Sequence, residues 1–551
     1  MARPGIVAVM LVAGLGTIAA CTGQASAHDL RILLLEADDC GACELYRSFG
    51  DGYPTELRNH PAVDTSIPVS VVHKSAIPAA IASQFQPHEY WSQSLSVMVL
   101  DGDEVLHVGN IAEASDIANA RFPDAIMAPA NAAERERAAQ SSHFYGEHFK
   151  ATWKLGYFVD VALGRRQPHP SIREAMLGAD GAIAGVSDNN LILWGSTATP
   201  SGNPLYISER IADTREALAP IAGPSLNVIT LYGNGDDPRP DTSVLVDGEE
   251  RFIQSPIDTP HSPDLQTLGR LFESLRGTDH NLLVQVGHSG PTGAPLWGQL
   301  ATVDAPLLES LVDKTGSERA GSELVMVSGA CNSGQFAAAP SCGFFAAHPE
   351  VVATGCQKSP EALRGSDDYL GEFFGGVRSS EADLDRDGAV SFAEAHWFAS
   401  VRLEHHQIPY DSLDALVDAY WQANADALPD AIGFGRLGNL AQRVGSAEEQ
   451  WAVAQFVDRV PGDTPITTSD ALRINREALE KVAAMTEASS AERNATMALD
   501  YPLVLSSLAR RLLWRDSVEV GPAAAKIRHC ASQGIGDFLR GGEPQALPPH
   551  D

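Results

Sequence analysis

Asn281-Leu-Leu-Val-Gln-Val-Gly-His288-Ser-Gly290 and Glu323-Leu-Val-Met-Val-Ser-Gly-Ala-Cys331-Asn-Ser-Gly334 are two short apolar runs, one closing on a histidine and the other on a cysteine. Such runs suit strands buried on both faces, and in open α/β sheets chemistry gathers where such strands end. Between them Leu307, Leu308, Leu311 and Val312 recur at helical spacing. Strand, helix and strand predict one right-handed parallel crossover that sets His288 beside Cys331. A thiol beside an imidazole is a nucleophile beside a base.

The neighbouring segments extend the same pattern. Leu191-Ile-Leu-Trp194 and Asn227-Val-Ile-Thr-Leu-Tyr232 predict further strands, the second running into a loop rich in Gly, Asp and Pro over 233–241. Ser262-Pro263 opens a helix that carries Leu265, Leu268, Leu271, Phe272 and Leu275 on one face, with Pro263 in its first turn and Gly277 closing it. Alternating strands and helices predict an α/β sandwich built on a mainly parallel sheet.

A lone buried cysteine is usually a small hydrophobe and a lone strand-end histidine an ordinary polar group. The ordered pair says more. Gly329-Ala330-Cys331-Asn332-Ser333-Gly334, preceded by a strand ending in His288, resembles the caspase-like cysteine peptidases of clan CD, most closely the legumain branch. The likeness covers residues 180–375, including Val351-Val-Ala-Thr-Gly-Cys-Gln-Lys-Ser-Pro360. It implies a caspase-like domain over 176–380 that cleaves peptide bonds. Cys331 would be the nucleophile and His288 the proton carrier, with backbone N–H groups of Cys331 and of Ser289 or Gly290 holding the oxyanion. Ser289 stands where that family has glycine directly after the histidine, and Gly290 follows one place later. Gly287-His288-Ser289-Gly290 also looks like a serine nucleophile elbow, but Pro291 occupies the fifth place, where the elbow needs glycine.

Asp383-Leu-Asp385-Arg-Asp387-Gly388-Ala389-Val390-Ser391-Phe-Ala-Glu394 meets every key position of a twelve-residue EF-hand loop. Side-chain oxygens stand at the first, third, fifth and ninth places, glycine at the sixth, and glutamate at the twelfth, while the carbonyl of Ala389 supplies the seventh. Asp383, Asp385, Asp387, Ala389, Ser391 and Glu394 are therefore candidate Ca2+ ligands. Phe392, Trp397, Phe398 and Val401 continue an exiting helix, giving a unit over 381–400. EF-hands normally pair, so a single loop predicts a structural brace or a dimer contact rather than a sensor.

At 551 residues the chain should hold about two to four domains. Its formal net charge of −32 excludes nucleic acid and anionic membrane surfaces as partners, because phosphate would repel it. Residues 1–27 read as an export leader: Arg3, an apolar stretch from Gly5 to Ala20, then Cys21-Thr-Gly-Gln-Ala-Ser-Ala27. That stretch is short for a membrane span. Ile18-Ala-Ala-Cys21 resembles a bacterial lipobox that would lipidate Cys21, the only expected membrane anchor. Ala25-Ser-Ala27 fits ordinary signal cleavage. Both place the protein in the bacterial cell envelope, facing the periplasm, where disulfides are permitted. Among the seven cysteines, the connectivity of Cys342, Cys356 and Cys530 is open.

Leu30 to Glu36, then Cys40-Gly-Ala-Cys43 and a helical pattern, resemble the start of a thioredoxin-like domain over 28–122. Val97 to Leu100, Asp101-Gly102 and Glu104 to Val108 predict its later hairpin. Asp38 and Asp39 oppose a thiolate at Cys40. Disulfide exchange, a structural bridge, or a metal clip joined by His143 and His148 all remain open for the pair. Prolines and a charged helical stretch mark 123–175 as a helical linker. Residues 401–551 read as helical, through segments such as 470–485 and Leu503 to Trp514, and offer a candidate surface for a protein partner. Three functions follow: an exported, calcium-braced cysteine endopeptidase acting on protein or peptide; a non-catalytic calcium-binding envelope scaffold; or a thiol-disulfide oxidoreductase working through Cys40 and Cys43.

Overall fold

The computed structural model describes residues 29–36, 46, 66–85, 95–111, 154–165, 172–351 apart from short breaks, 353, 368–403, 408–459, 465–468 and 501–541 apart from 519–520. Cys21, Cys40, Cys43, Cys356, His143, His148 and the pattern at 470–485 lie outside these residues. The described chain is mixed α/β, with helices packed on several sheets.

The first sheet has the order β2-β1-β3-β4, from β1 (Leu30–Glu36), β2 (Val69–His73), β3 (Ser96–Asp101) and β4 (Glu104–Asn110). β1 runs parallel to β2 and antiparallel to β3, and β3 and β4 form the expected hairpin around Gly102 at φ 59°. Residues expected to be linker complete this domain instead. Leu155, Tyr157, Phe158 and Val159 share one buried core with Ile32, Leu34, Val97 and Val99. Their apolar stripe finds a sheet face to cover, which a solvated linker would not offer.

The central sheet has six strands. They are β5 (Asn189–Ser196), β6 (Asn227–Leu231), β9 (His280–Gly287), β12 (Glu323–Ser328), β13 (Cys342–Phe345) and β14 (Tyr410–Asp411), while the hairpin β7 (Thr242–Val246) and β8 (Glu249–Ile253) and the short pair β10 (Ala294–Pro295) and β11 (Thr302–Val303) form two-stranded sheets of their own. The sheet order is β14-β13-β12-β9-β5-β6; all neighbours are parallel except the antiparallel edge strand β14. β9 and β12 are adjacent, joined through the helix Ala305–Thr315, as the crossover predicts. Successive side chains feed two cores. Ile192, Trp194, Leu283 and Met326 meet the helices Leu265–Ser274 and Ala305–Thr315 on one face. Leu191, Leu193, Val284 and Val327 meet Leu205–Ala222 and Tyr369–Val377 on the other. Burial on both faces explains the continuous apolar runs, each such side chain contributing about 1.5–3 kcal/mol. One boundary shifts: Asp264, not Pro263, starts the helix Leu265–Ser274, because its carboxylate accepts the Thr267 N–H at 2.8 Å and caps it.

The carboxy-terminal region is more than an appendage. Helices Ser412–Ala423, Phe434–Val444, Ala447–Val457 and Tyr501–Ser517 build a third core around Leu437, Phe456, Leu508 and Leu512. Helices Pro522–Ala531 and Ile535–Leu539 then return to the central sheet, where Cys530, Ile535 and Phe538 are buried with Phe344 and Phe392. A disulfide joins Cys342 of β13 to Cys530. Between the two layers, buried Arg511 bonds Asp411 at 2.6 Å and Glu449 at 2.7 Å. Burial and the charge of Asp411 push Asp414 up to about 7. Beyond this cluster, His396 is buried with Nδ1 2.7 Å from the Tyr369 hydroxyl, and burial pushes it down to about 4.

Candidate active site and acidic loop

His288 follows the last residue of β9, Gly287, whose φ of 125° suits glycine alone. A Cβ there would also stand 2.8 Å from the Ser196 carbonyl oxygen, so only glycine lets β9 hug β5 at this level. The His288 N–H donates to that same carbonyl at 2.8 Å. On the ring, Nε2 lies 2.7 Å from the carbonyl of Gly202, at the end of the 3-10 turn Pro200–Gly202. A carbonyl only accepts, so Nε2 carries a proton, and in the neutral form of the ring the lone pair lies on Nδ1. Asn203 anchors the turn: its Nδ2 donates to the Asp241 carbonyl at 2.9 Å, and its own carbonyl accepts from Ser243 of β7 at 2.9 Å.

Of the expected oxyanion donors after His288, Gly290 gives its N–H to the Gly293 carbonyl at 3.0 Å. Gly290 is therefore spent in its own turn. The Ser289 N–H has no acceptor among the described residues, which makes it the donor this loop retains.

Cys331 lies three residues beyond β12, half-buried, and its thiol donates to the Ala353 carbonyl at 3.4 Å. Asn332 takes the left-handed conformation, φ 51°, held by its N–H on Val351 O at 2.8 Å and its Nδ2 on Pro349 O at 2.8 Å. The small residues around the cysteine serve this turn as well as access, since a Cβ at Gly334 would lie 2.8 Å from the Ala347 carbonyl oxygen. Gln335 joins the two loops. Its Nε2 reaches Gly290 O at 2.7 Å and Ser289 Oγ at 3.3 Å, fastening the segment after the cysteine to the segment after the histidine.

In the acidic loop the carboxylates of Asp383, Asp385 and Asp387 each offer an oxygen within 4.8 Å of the others. Asp383 accepts the N–H groups of Asp387 and Gly388, and Asp387 accepts that of Ala389, so the loop folds around its own aspartates. Arg386 at φ 63° and Gly388 at φ 94° make the sharp turn. Three hard oxygen donors this close together are of the type that a hard divalent cation takes. Glu394 stands apart from them. Buried to 2% exposure, it accepts from Leu384 N at 2.7 Å and Asp385 N at 2.9 Å with one oxygen, and from Ser391 with the other.

The loop has a partner within its own chain. Ser391 pairs antiparallel with Gly534, Ile535 N–H donates to Val390 O at 3.0 Å, and Phe392 N–H donates to Gln533 O at 3.2 Å. Phe392 and Phe538 continue the contact with ring centroids 5.3 Å apart. Of the two expected roles, structural brace or dimer contact, this pairing with the turn between the helices Pro522–Ala531 and Ile535–Leu539 is of the bracing kind.

A cavity of about 590 Å³ opens behind β13, lined by residues including Ser446, Arg511, Arg515 and Arg528 but neither His288 nor Cys331. Among the described residues no helix is long and apolar enough to cross a membrane. No protein-family model and no curated protein matches the chain.

Proposed function

We propose that this protein is an exported cysteine endopeptidase of caspase-like, legumain-related type, with a caspase-like central domain and a thioredoxin-like amino-terminal domain. The observation that carries the reading is the placement of His288 and Cys331 just beyond adjacent parallel strands, their loops fastened together by Gln335. The sheet order β2-β1-β3-β4, with one parallel and two antiparallel pairings, supports the thioredoxin-like part.

In this mechanism the lone pair on His288 takes the Cys331 proton, and the sulfur attacks a peptide carbonyl. Backbone N–H groups of Ser289 and Cys331 meet the developing oxyanion, and His288 returns its proton to the leaving amine. The Gly202 carbonyl holds the ring in place. Asp383, Asp385 and Asp387 would hold a calcium ion, with Ala389 and Ser391 adding oxygens. Glu394 would join by releasing the N–H groups of Leu384 and Asp385. Bound calcium supplies charge neutralisation in the loop and takes no part in bond cleavage. A bacterial periplasmic location, with or without a lipid at Cys21, fits the leader.

A peptide-library digest compares the parent protein with Cys331→Ala and His288→Ala. Both variants should lose cleavage almost entirely, since removing either member of such a unit costs nearly the whole rate advantage. Cleavage retained by either purified variant excludes the dyad. Absence of cleavage by the parent favours the scaffold reading.

A further inference from the structure

Gln285 is the one polar residue within the apolar run of β9, and it is fully buried. Its side chain lies in a head-to-tail series of four hydrogen bonds that crosses three strands. The Ala330 N–H donates to Ser328 Oγ at 3.3 Å. Ser328 Oγ donates to Gln285 Oε1 at 2.7 Å. Gln285 Nε2 donates to Ser196 Oγ at 3.1 Å. Ser196 Oγ donates to the His288 carbonyl at 2.7 Å. The series begins one residue before the proposed nucleophile and ends on the residue that carries the proposed base.

We propose that Gln285, with Ser196 and Ser328, is a positioning residue that sets the separation of His288 and Cys331. The proposal rests on the dyad reading above. Stability alone does not explain the arrangement. A buried polar side chain on a central strand returns little net energy compared with an apolar one of the same shape, because its hydrogen bonds replace equally good bonds to water. A series in which every donor points the same way does define geometry, since each bond polarises the next and a member that rotates exchanges a short bond for a longer one. The backbone repeats the tie at the same level. The Gly329 N–H donates to Gln285 O at 3.1 Å and the His288 N–H to Ser196 O at 2.8 Å. Both loops therefore leave the sheet from one rigid crossbar, and a small error there would misplace groups that must exchange a proton.

The test uses the full chain and needs no known substrate. Alkylation of Cys331 by iodoacetamide is followed against pH by peptide mass spectrometry in four proteins: the parent, His288→Ala, Ser196→Ala, and the triple variant Ser196→Ala/Gln285→Leu/Ser328→Ala. The triple variant removes the three side chains together and leaves only the two ends of the series, the Ala330 N–H and the His288 carbonyl, without these partners, so the urea midpoint should fall only in part and the protein stay folded. Its Cys331 rate at neutral pH should fall at least about tenfold. Its profile should move toward that of a simple thiol, near pH 8.5, and match His288→Ala. A triple variant with the parent's pH profile overturns the proposal while leaving the dyad standing. If His288→Ala itself leaves the profile unchanged, the dyad fails and the proposal falls with it. Should the triple variant not fold, Ser196→Ala decides on the same readout. That variant leaves Gln285 Nε2 the His288 carbonyl, already 3.4 Å away, to bond. A fall of about threefold or more supports the proposal, and an unchanged profile overturns it.

Discussion

The carbonyl oxygen of Gly202 stands 2.7 Å from Nε2 of His288, although 86 residues separate them in the chain. The contact decides which ring nitrogen carries the proton and limits rotation of the imidazole. Its donor is a side chain and its acceptor is backbone, so no substitution at position 202 removes the oxygen; the turn that presents it can be loosened instead.

Asn203→Ala does that, because the Asn203 amide anchors the turn to the Asp241 carbonyl. The expected result is a fall in kcat of roughly tenfold or more at little changed KM, since the base loses orientation while the substrate surface is kept. Steady-state kinetics on any cleaved peptide gives the split. A change confined to KM would assign the turn to substrate binding.

Calcium should stabilise the folded protein by about 2.7 kcal/mol at 100 times its Kd, because the loop exists only in the native state. It should also slow amide exchange at Phe392 and Ile535, which bridge the loop to the carboxy-terminal turn. Glu394→Gln should blunt both effects. It should also cost stability without calcium, because its amide NH2 would face N–H donors that Glu394 now accepts. Scanning calorimetry and hydrogen exchange read the two effects. A calcium-induced rise in melting temperature with no slowing at Ile535 would mean that the loop binds the ion without coupling to the carboxy terminus.

The strands ending near His288 and Cys331 were legible because both faces of the sheet are covered, so their apolar runs are unbroken, and glycines mark where the backbones crowd. The acidic loop was legible because its carboxylates follow one another at fixed spacing. The supports of these sites were not. Gln285 looks like a blemish in an apolar run until Ser196 and Ser328 are seen on either side. Gln533-Gly534-Ile535 carries no periodicity, and it acts through backbone groups that any sequence possesses. The helical stretch that packs as Leu155 to Val159 looked like a linker because its sheet lies far earlier in the chain. Of the two oxyanion candidates after His288, only a folded loop could show that Gly290 is spent on Gly293.

The disulfide between Cys342 and Cys530 closes a sequence separation of 188 residues, and both cysteines are fully buried. Loop-closure entropy over that length gives an upper figure of about 5 kcal/mol. Cys342→Ser/Cys530→Ser should therefore lower stability by roughly 2–5 kcal/mol in urea unfolding. Under native conditions with mild reductant present, Cys331 should be alkylated while Cys342 and Cys530 stay unlabelled. Prompt labelling of Cys530 would show that the last helices open readily.

Asp414 and His396 should give stability opposite dependences on pH over almost the same window. The folded state lowers His396 from 6.5 to about 4, mainly through burial. Between those values the unfolded chain holds the extra proton, so this group makes stability rise with pH, by about 1.4 kcal/mol per unit at most. The folded state raises Asp414 from 3.8 to about 7, through burial and then the Asp411 charge, with Arg511 opposing. Here the folded chain holds the extra proton, so stability is fully present below about pH 4 and declines as pH climbs to about 7. The two slopes nearly cancel in the parent between about pH 4 and 6.5, which hides both. Single substitutions uncover them. Relative to the parent, Asp414→Asn should gain stability as pH rises through this range, because the declining contribution is gone. His396→Asn should lose stability over the same range, its rising contribution removed. Urea midpoints at about pH 4.5, 5.5 and 6.5 for the three proteins suffice. A flat or falling difference curve for Asp414→Asn would mean that Asp414 is ionised in the folded protein at acidic pH and that Arg511, rather than burial, governs it, and a flat or rising curve for His396→Asn would mean that burial does not hold that ring neutral.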